Sequence, residues 1–242
     1  MGPWSYSPLL ESPSDSVQPN PAMNSTRKFT YSFTAVLFGF AGIVVAADHA
    51  APSIGAGAAL AKLKAGNARF VSHSVSDGKP TAARRAETAK AQHPFAIIVA
   101  CADSRTAPEL VFDENIGDLF VIRTAGNLVD DYALGSIEYA VEHLGTRLIV
   151  VLGHERCGAV SAAVKSGSAP GHVNALVHEI RPAVKAVQGR PGDVVENAID
   201  ENAARVAALI HRKAQLGDAA SEVRIVKGHY DLDTGKVAWL AD

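Results

Sequence analysis

Two short apolar runs limit what this chain can become: Phe95 to Ala100, reading FAIIVA, and Leu148 to Leu152, reading LIVVL. Both are rich in β-branched residues and carry no polar alternation, so each reads as a strand buried on both faces of a sheet. Chemistry follows each run at once. The first leads into Cys101, Ala102, Asp103, Ser104 and Arg105; the second into Gly153, His154, Glu155, Arg156, Cys157 and Gly158. In an open parallel sheet the carboxyl ends of the strands form the crevice where ligands bind. Two thiols and an imidazole delivered there make a Cys2His set. That is one ligand short of the tetrahedron zinc prefers, the mark of a catalytic zinc site with an open position.

The 242 residues can bury one good-sized core, and the first fifty do not look like part of it. A formal net charge of -2 gives no bulk electrostatic case for nucleic acid. Cys101 and Cys157 are the two cysteines of the chain. By count alone a single disulfide and a metal site are equally open. Context favours ligation, because an oxidised pair would leave His154 and Asp103 with no shared partner.

Residues 1–22 are rich in Ser and Pro and carry no fold signal. From Met23, a plausible translation start, Arg27 and Lys28 precede an apolar run from Phe33 to Ala47 whose last residues are Val45, Ala46 and Ala47. This is the pattern of a secretory signal over 23–47, cleaved after Ala47. The run falls short of the roughly 20 residues a membrane-spanning helix needs, so no stable anchor is expected after cleavage. The mature chain is then exported, periplasmic or secreted. A linker is expected over 48–57 and a catalytic domain over 58–242.

Within that domain Leu60, Leu63 and Phe70 mark one side of a helix that Gly66 and Asn67 are expected to interrupt. It packs on a partner subunit or on its own sheet. A polar helix is expected from Thr81 to Gln92. Strands are expected at 95–100, 119–123, 147–152 and 223–227, with an edge strand over 236–240. Helices are expected at 108–112, at 132–143 with Leu134, Ile137, Val141 and Leu144 as its buried stripe, at 158–165, and at 193–215 with Asp193 as N-cap. Asn202 falls on the inner stripe of the last, where a bond to a backbone group is expected. The alternation predicts an α/β fold: a parallel core of four strands plus an edge strand, flanked by helices.

Thiolates and imidazole suit zinc better than calcium or magnesium, which want oxygen. Two thiolates offset the charge of the metal, so a water on it is acidified less than by three imidazoles, and activity should rise on the alkaline side. Asp103 and Arg105, two apart in an extended turn, can pair while Asp103 faces the metal. An Arg partner keeps the carboxylate ionised and hydrogen-bond accepting. Gly158 lets backbone amides approach an oxyanion at a helix start. Arg123 could line the same crevice or bond a neighbouring loop. The histidines other than His154 lack a partner spacing and are read as surface or core residues.

At these residues the chain resembles a bacterial, exported β-class carbonic anhydrase, from Leu60 to Leu240. The likeness rests on Leu63, Gly66, Asn67 and Phe70; on Cys101, Asp103, Ser104 and Arg105; on Gly117, Phe120 and Arg123; on Gly126 and Asn127; and on Gly153, His154, Cys157 and Gly158. The resemblance implies zinc-dependent, reversible hydration of carbon dioxide to bicarbonate and a proton by attack of zinc-bound hydroxide. It implies one zinc per subunit on Cys101, His154 and Cys157, an Asp103–Arg105 dyad that orients the nucleophile, and Asp103 as fourth ligand in a closed state. It implies a homodimer or dimer of dimers, with leading helices laid across the neighbouring subunit. Asn115 stands where some members carry a pocket-lining Gln and, with Gly158, is a substrate-pocket position. Members with a regulatory bicarbonate site carry a Trp where this chain has Ile98, beside an Arg and a Tyr that align with Arg123 and Tyr230. That departure favours an open site. Two other readings are a hydrolase of carbonyl sulfide or carbon disulfide on the same scaffold, and an exported zinc-binding protein without turnover.

Overall fold

A computed structural model describes residues 54–74 and 81–241. The expected segments 1–22 and 23–47, and most of the expected linker, lie outside the described residues. Five strands form one sheet: β1 (Ala96–Cys101), β2 (Leu119–Thr124), β3 (Leu148–His154), β4 (Arg224–Tyr230) and β5 (Val237–Leu240). Their spatial order is β2-β1-β3-β4-β5, parallel except for β5, which pairs antiparallel with β4 at the edge. Among the described residues seven α-helices accompany the sheet: α1 (Ala56–Val71), α2 (Ala82–Thr88), α3 (Pro108–Val111), α4 (Asp131–Glu142), α5 (Gly158–Ser166), α6 (Val173–Ala186) and α7 (Val194–Lys213). Among the described residues no helix is long and apolar enough to cross a membrane.

Every residue of β1 and β3 is buried, as unbroken apolar runs demand when helices cover both faces. The period of two sorts them. Ala96, Ile98, Ala100, Leu148, Val150 and Leu152 join α1 and Phe112 in one cluster. Ile97, Val99, Ile149 and Val151 join Ile137 and Val141 of α4 and Val206 and Ile210 of α7 in the other. Truncating one of these fully buried isoleucines to Ala costs about 2–5 kcal/mol in such cores. A third cluster, of α5, α6 and the start of α7, closes over the carboxyl end of the sheet and includes Cys101 and Cys157.

Three elements differ from expectation. Helix α1 is not interrupted at Gly66 and Asn67 but runs through them. A Cβ at Gly66 would lie 1.8 Å from the Phe112 carbonyl oxygen, so the glycine serves close approach rather than a break. Asn67 is buried and its side chain braces two distant segments: Nδ2 donates to the Val111 and Gly235 carbonyls at 3.0 and 2.8 Å, and Oδ1 accepts from Val237 N at 2.9 Å. With Ala59, Leu60 and Leu63 buried in the first cluster, α1 takes the alternative of packing on its own sheet. Helix α2 ends at Thr88, short of Gln92; its N-cap is Thr81, whose Oγ1 accepts from Arg84 N at 3.0 Å. Helix α6 occupies a stretch to which the sequence reading assigns no element, and it contains Pro182.

The longest helix, α7, starts as expected: the Asp193 carboxylate accepts from Val195 N and Glu196 N at 2.7 and 3.1 Å. It is tied to β4 through His229, whose Nδ1 lies 2.6 Å from Asp200 Oδ1 and whose Nε2 lies 3.3 Å from Glu196 Oε2. Asp200 above all, with Glu196 and Glu155, raises the pKa of His229 above its ordinary 6.5 against the opposing effect of burial.

Two outcomes follow from this packing. Asn67→Ala leaves two carbonyls and one amide buried without partners and should lower unfolding free energy by about 2–4 kcal/mol in denaturant titrations. Because the folded state raises the pKa of His229, its ion pairs stabilise fully below the ordinary value and that contribution fades as pH rises through the folded value. His229→Asn should therefore cost more stability at about pH 5.5 than at about pH 9.5; an equal cost at both contradicts the assignment.

Candidate metal centre

Cys101 ends β1, His154 ends β3, and Cys157 is the N-cap residue of α5 three residues further on. The parallel register sets Ala100 beside Leu152, so the two strand ends emerge together. All three side chains are buried, and their ligand atoms lie within 4.8 Å of one another. The two sulfurs are 4.0 Å apart and both cysteines are free. Tetrahedral zinc with Zn–S bonds of about 2.3 Å sets its sulfurs about 3.8 Å apart. The imidazole is prepared in the same sense. His154 Nδ1 lies 2.9 Å from the Glu155 carbonyl, which can only accept, so Nδ1 carries the proton and Nε2 presents its lone pair. That Nε2 is buried and makes no hydrogen bond. A soft donor set with one orphaned ring nitrogen fits a zinc ion.

The thiols titrate as a pair. The Cys157 thiol, then the His154 ring and the Gly126 amide, pull Cys101 down to about 4 against the opposing effect of burial. The Cys101 sulfur and burial push Cys157 up. Gly126 N donates to Cys101 Sγ at 3.3 Å, and the Val160 and Ala159 amides at the start of α5 favour a Cys157 thiolate. The second proton leaves with difficulty because two neighbouring buried thiolates repel; a divalent cation relieves that repulsion.

Asp103 and Arg105 meet as the sequence predicts. Arg105 Nε donates to Asp103 Oδ1 at 2.9 Å, Nη2 to Oδ2 at 2.7 Å, and the Arg105 backbone N to Oδ1 at 3.0 Å. The Arg105 guanidinium holds the Asp103 carboxyl well below the usual carboxylate range. Asp103 Oδ2 lies 3.9 Å from His154 Nε2, so the fork aims the carboxylate at the ligand cluster.

The loop that carries Cys101 and Asp103 is clamped from β2. Arg123 Nε donates to the Cys101 carbonyl at 2.9 Å and Nη2 to the Asp103 carbonyl at 2.6 Å. Of its two sequence readings, the loop bond is the one the structure shows. The Thr106 hydroxyl donates to the Asp103 carbonyl at 2.9 Å. Asn202 of α7 bonds the Gly126 carbonyl at 2.9 Å, the backbone bond expected of it, and so steadies the residue whose amide reaches Cys101. Gly126 has φ +73, and a Cβ there would lie 2.8 Å from Ile180 Cδ1. The sequence signal for Gly126 was its place in the family motif; its bond to sulfur carried none.

The two pocket positions fare differently. Gly158 follows Cys157 at the exposed start of α5, and a Cβ there would meet nothing within 4 Å, so approach to that helix start is open. Asn115 is not brought to the cluster. It precedes β2, whose Leu119 pairs with Ala96, so it sits at the opposite end of strands about 20 Å long. There its backbone N donates to Asp118 Oδ2 and its Oδ1 accepts from Ile116 N, both at 2.8 Å. In this chain Asn115 shapes a turn, which corrects the pocket expectation.

Comparison with known proteins agrees with this geometry. Residues 96–237 match the carbonic anhydrase family model. Carbonic anhydrase 2 of Mycobacterium tuberculosis is 42% identical over 190 residues, 74% of this chain and 90% of that relative. The carbonic anhydrase of Mycolicibacterium smegmatis is 42% identical over 188 residues, 74% of this chain and 91% of its own. Among solved structures, the Coccomyxa β-carbonic anhydrase in complex with acetazolamide superposes with a TM-score of 0.59 at 26% identity, covering 65% of this chain and 76% of that one. A tetrameric β-carbonic anhydrase of Sordaria macrospora shares the fold with a TM-score of 0.61 at 23% identity, covering 65% and 85%. With the sheet order, the Cys-His-Cys cluster and these relatives together, the chain belongs to the β-class carbonic anhydrase family, zinc-dependent enzymes that hydrate carbon dioxide.

Proposed function

We propose that Cys101, His154 and Cys157 hold one zinc ion per subunit and that Asp103 and Arg105 form the dyad of carbon dioxide hydration. The observation that carries this reading is the buried, hydrogen-bond-free Nε2 of His154 facing two free thiols. When bound, zinc would supply the Lewis acidity that makes water a nucleophile far below the pH at which free water ionises. Asp103, held ionised by Arg105, can only accept hydrogen bonds; it takes one from the attacking water and turns a lone pair toward the carbon of carbon dioxide. With both oxygens engaged by Arg105, Asp103 is drawn away from the ligand role, which supports an open site. Arg123 and Thr106 hold the main chain of that loop, so the carboxylate keeps its aim.

The assembly proposed is a homodimer or dimer of dimers. Leu110 and Ile116, 67% and 40% exposed, and the free edge of β2 support a contact between copies. Export is proposed on Arg27, Lys28, the apolar run to Ala47 and its small-residue end. The first residue of the mature protein recovered from outside the cytoplasm should be Asp48.

Cys157→Ala should lose both metal and turnover: zinc falls from about one per chain to a small fraction, by elemental analysis, and stopped-flow hydration disappears. Retained activity would sink the ligand assignment. Asp103→Ala should keep zinc yet lose about a hundredfold in hydration rate. Full hydration activity in that variant would remove Asp103 from the mechanism.

A further inference from the structure

The turn between His154 and Cys157 does not hold itself. Only Glu155 and Arg156 separate the end of β3 from Cys157, and Arg156 adopts φ 54, a left-handed conformation uncommon for a residue with a side chain. Such a backbone persists where its surroundings impose it. Four contacts from other elements reach this turn. Glu155 N donates to the Tyr230 carbonyl at 2.9 Å, and Glu155 Oε2 accepts from Leu232 N at 3.1 Å. The Arg156 guanidinium forks onto Asp233 at 3.1 and 2.8 Å, and Arg156 N donates to Glu196 Oε1 at 3.1 Å.

The contacts differ in weight. The Arg156–Asp233 fork joins half-exposed and exposed side chains, where an ion pair contributes little. The bond to Glu196 grips the left-handed residue by its main chain. Glu196 is itself fixed, since its other oxygen lies 3.3 Å from His229 Nε2 while His229 Nδ1 is bound to Asp200. Its carboxylate therefore has little freedom to leave Arg156. The start of α7 thus reaches, through one backbone amide, the residue beside Cys157.

We infer that Glu196 is a positioning residue of the metal centre: through the Arg156 amide, backed by His229, it fixes the turn that sets Cys157 against His154. This rests on the ligand assignment proposed above. Partners that orient metal ligands from outside typically contribute about ten- to a hundredfold in metal affinity. Glu196→Gln keeps an oxygen that can accept from Arg156 N, whereas Glu196→Ala removes it.

The test is zinc transfer from the purified full-length protein to a chromogenic chelator, with thermal unfolding of each metal-loaded variant in parallel. Glu196→Ala should lose zinc at least about tenfold faster than the parent, and Glu196→Gln within about threefold of it. Asp233→Ala, which loosens only the exposed fork, should release zinc at the parental rate. If Glu196→Ala holds zinc as the parent does, or if Glu196→Gln releases it as fast as the alanine variant, the inference is overturned. A parent that binds no zinc would instead overturn the ligand assignment itself. If Glu196→Ala does not fold, the comparison of Glu196→Gln with Glu196→Asp decides: the shorter Asp should release zinc faster, and equal rates overturn the inference.

Discussion

The register between β1 and β3 is the constraint on which the rest of the structure depends. Ala100 lies beside Leu152, so the residues that follow emerge at one end of the two central strands. Because alternate residues face opposite clusters, a slip of either strand by one residue would exchange that strand's faces and pull Cys101 from His154. Burial on both faces makes that slip expensive. The third ligand needs no further strand, since two residues of turn bring Cys157 to the start of α5. Fold and site are therefore one problem: the apolar runs that build the core also aim the donors.

Electrostatics then select what the donors can hold. Two thiols and a ring nitrogen in a buried cluster cannot all be satisfied by one another, and a second thiolate without a cation would cost several kcal/mol. A divalent metal would remove that cost, which is the physical reason to expect one here. The neighbouring carboxylate, Asp103, is instead claimed by Arg105, which keeps it charged and directed without adding it to the cluster. Around this centre the bracing is done by backbone contacts: Arg123 and Thr106 on the Cys101 loop, Asn202 on Gly126, and the first turn of α7 on Arg156.

What could be read in the sequence was whatever depends on local pattern. The runs of β1 and β3, the stripe of Leu134, Ile137 and Val141, the Asp193 cap and the pairing of Asp103 with Arg105 are short-range features, and the structure contains each. What escaped depends on tertiary contact. Gly66 and Asn67 look like a break until Phe112 and the Gly235 turn are packed against them, when the same two residues become a close approach and a three-way brace. Helix α6 is obscured by Pro182, a residue that weakens any isolated helix and is tolerated here because Val177, Ile180 and Val184 are buried in the third cluster. Asn115 was placed by likeness alone, and the parallel register moved it to the far end of the sheet. His229 had no partner at any sequence spacing, since Glu196 and Asp200 reach it from another element.

X-ray absorption at the zinc edge of the purified full-length protein tests the central claim most directly, because it counts the donors and measures their distances. The account predicts two sulfurs at about 2.3 Å with one nitrogen and one further light atom at about 2.0 Å. A shell of oxygen and nitrogen alone, or a protein whose Cys101 and Cys157 are joined as a disulfide and bind no zinc, would contradict it.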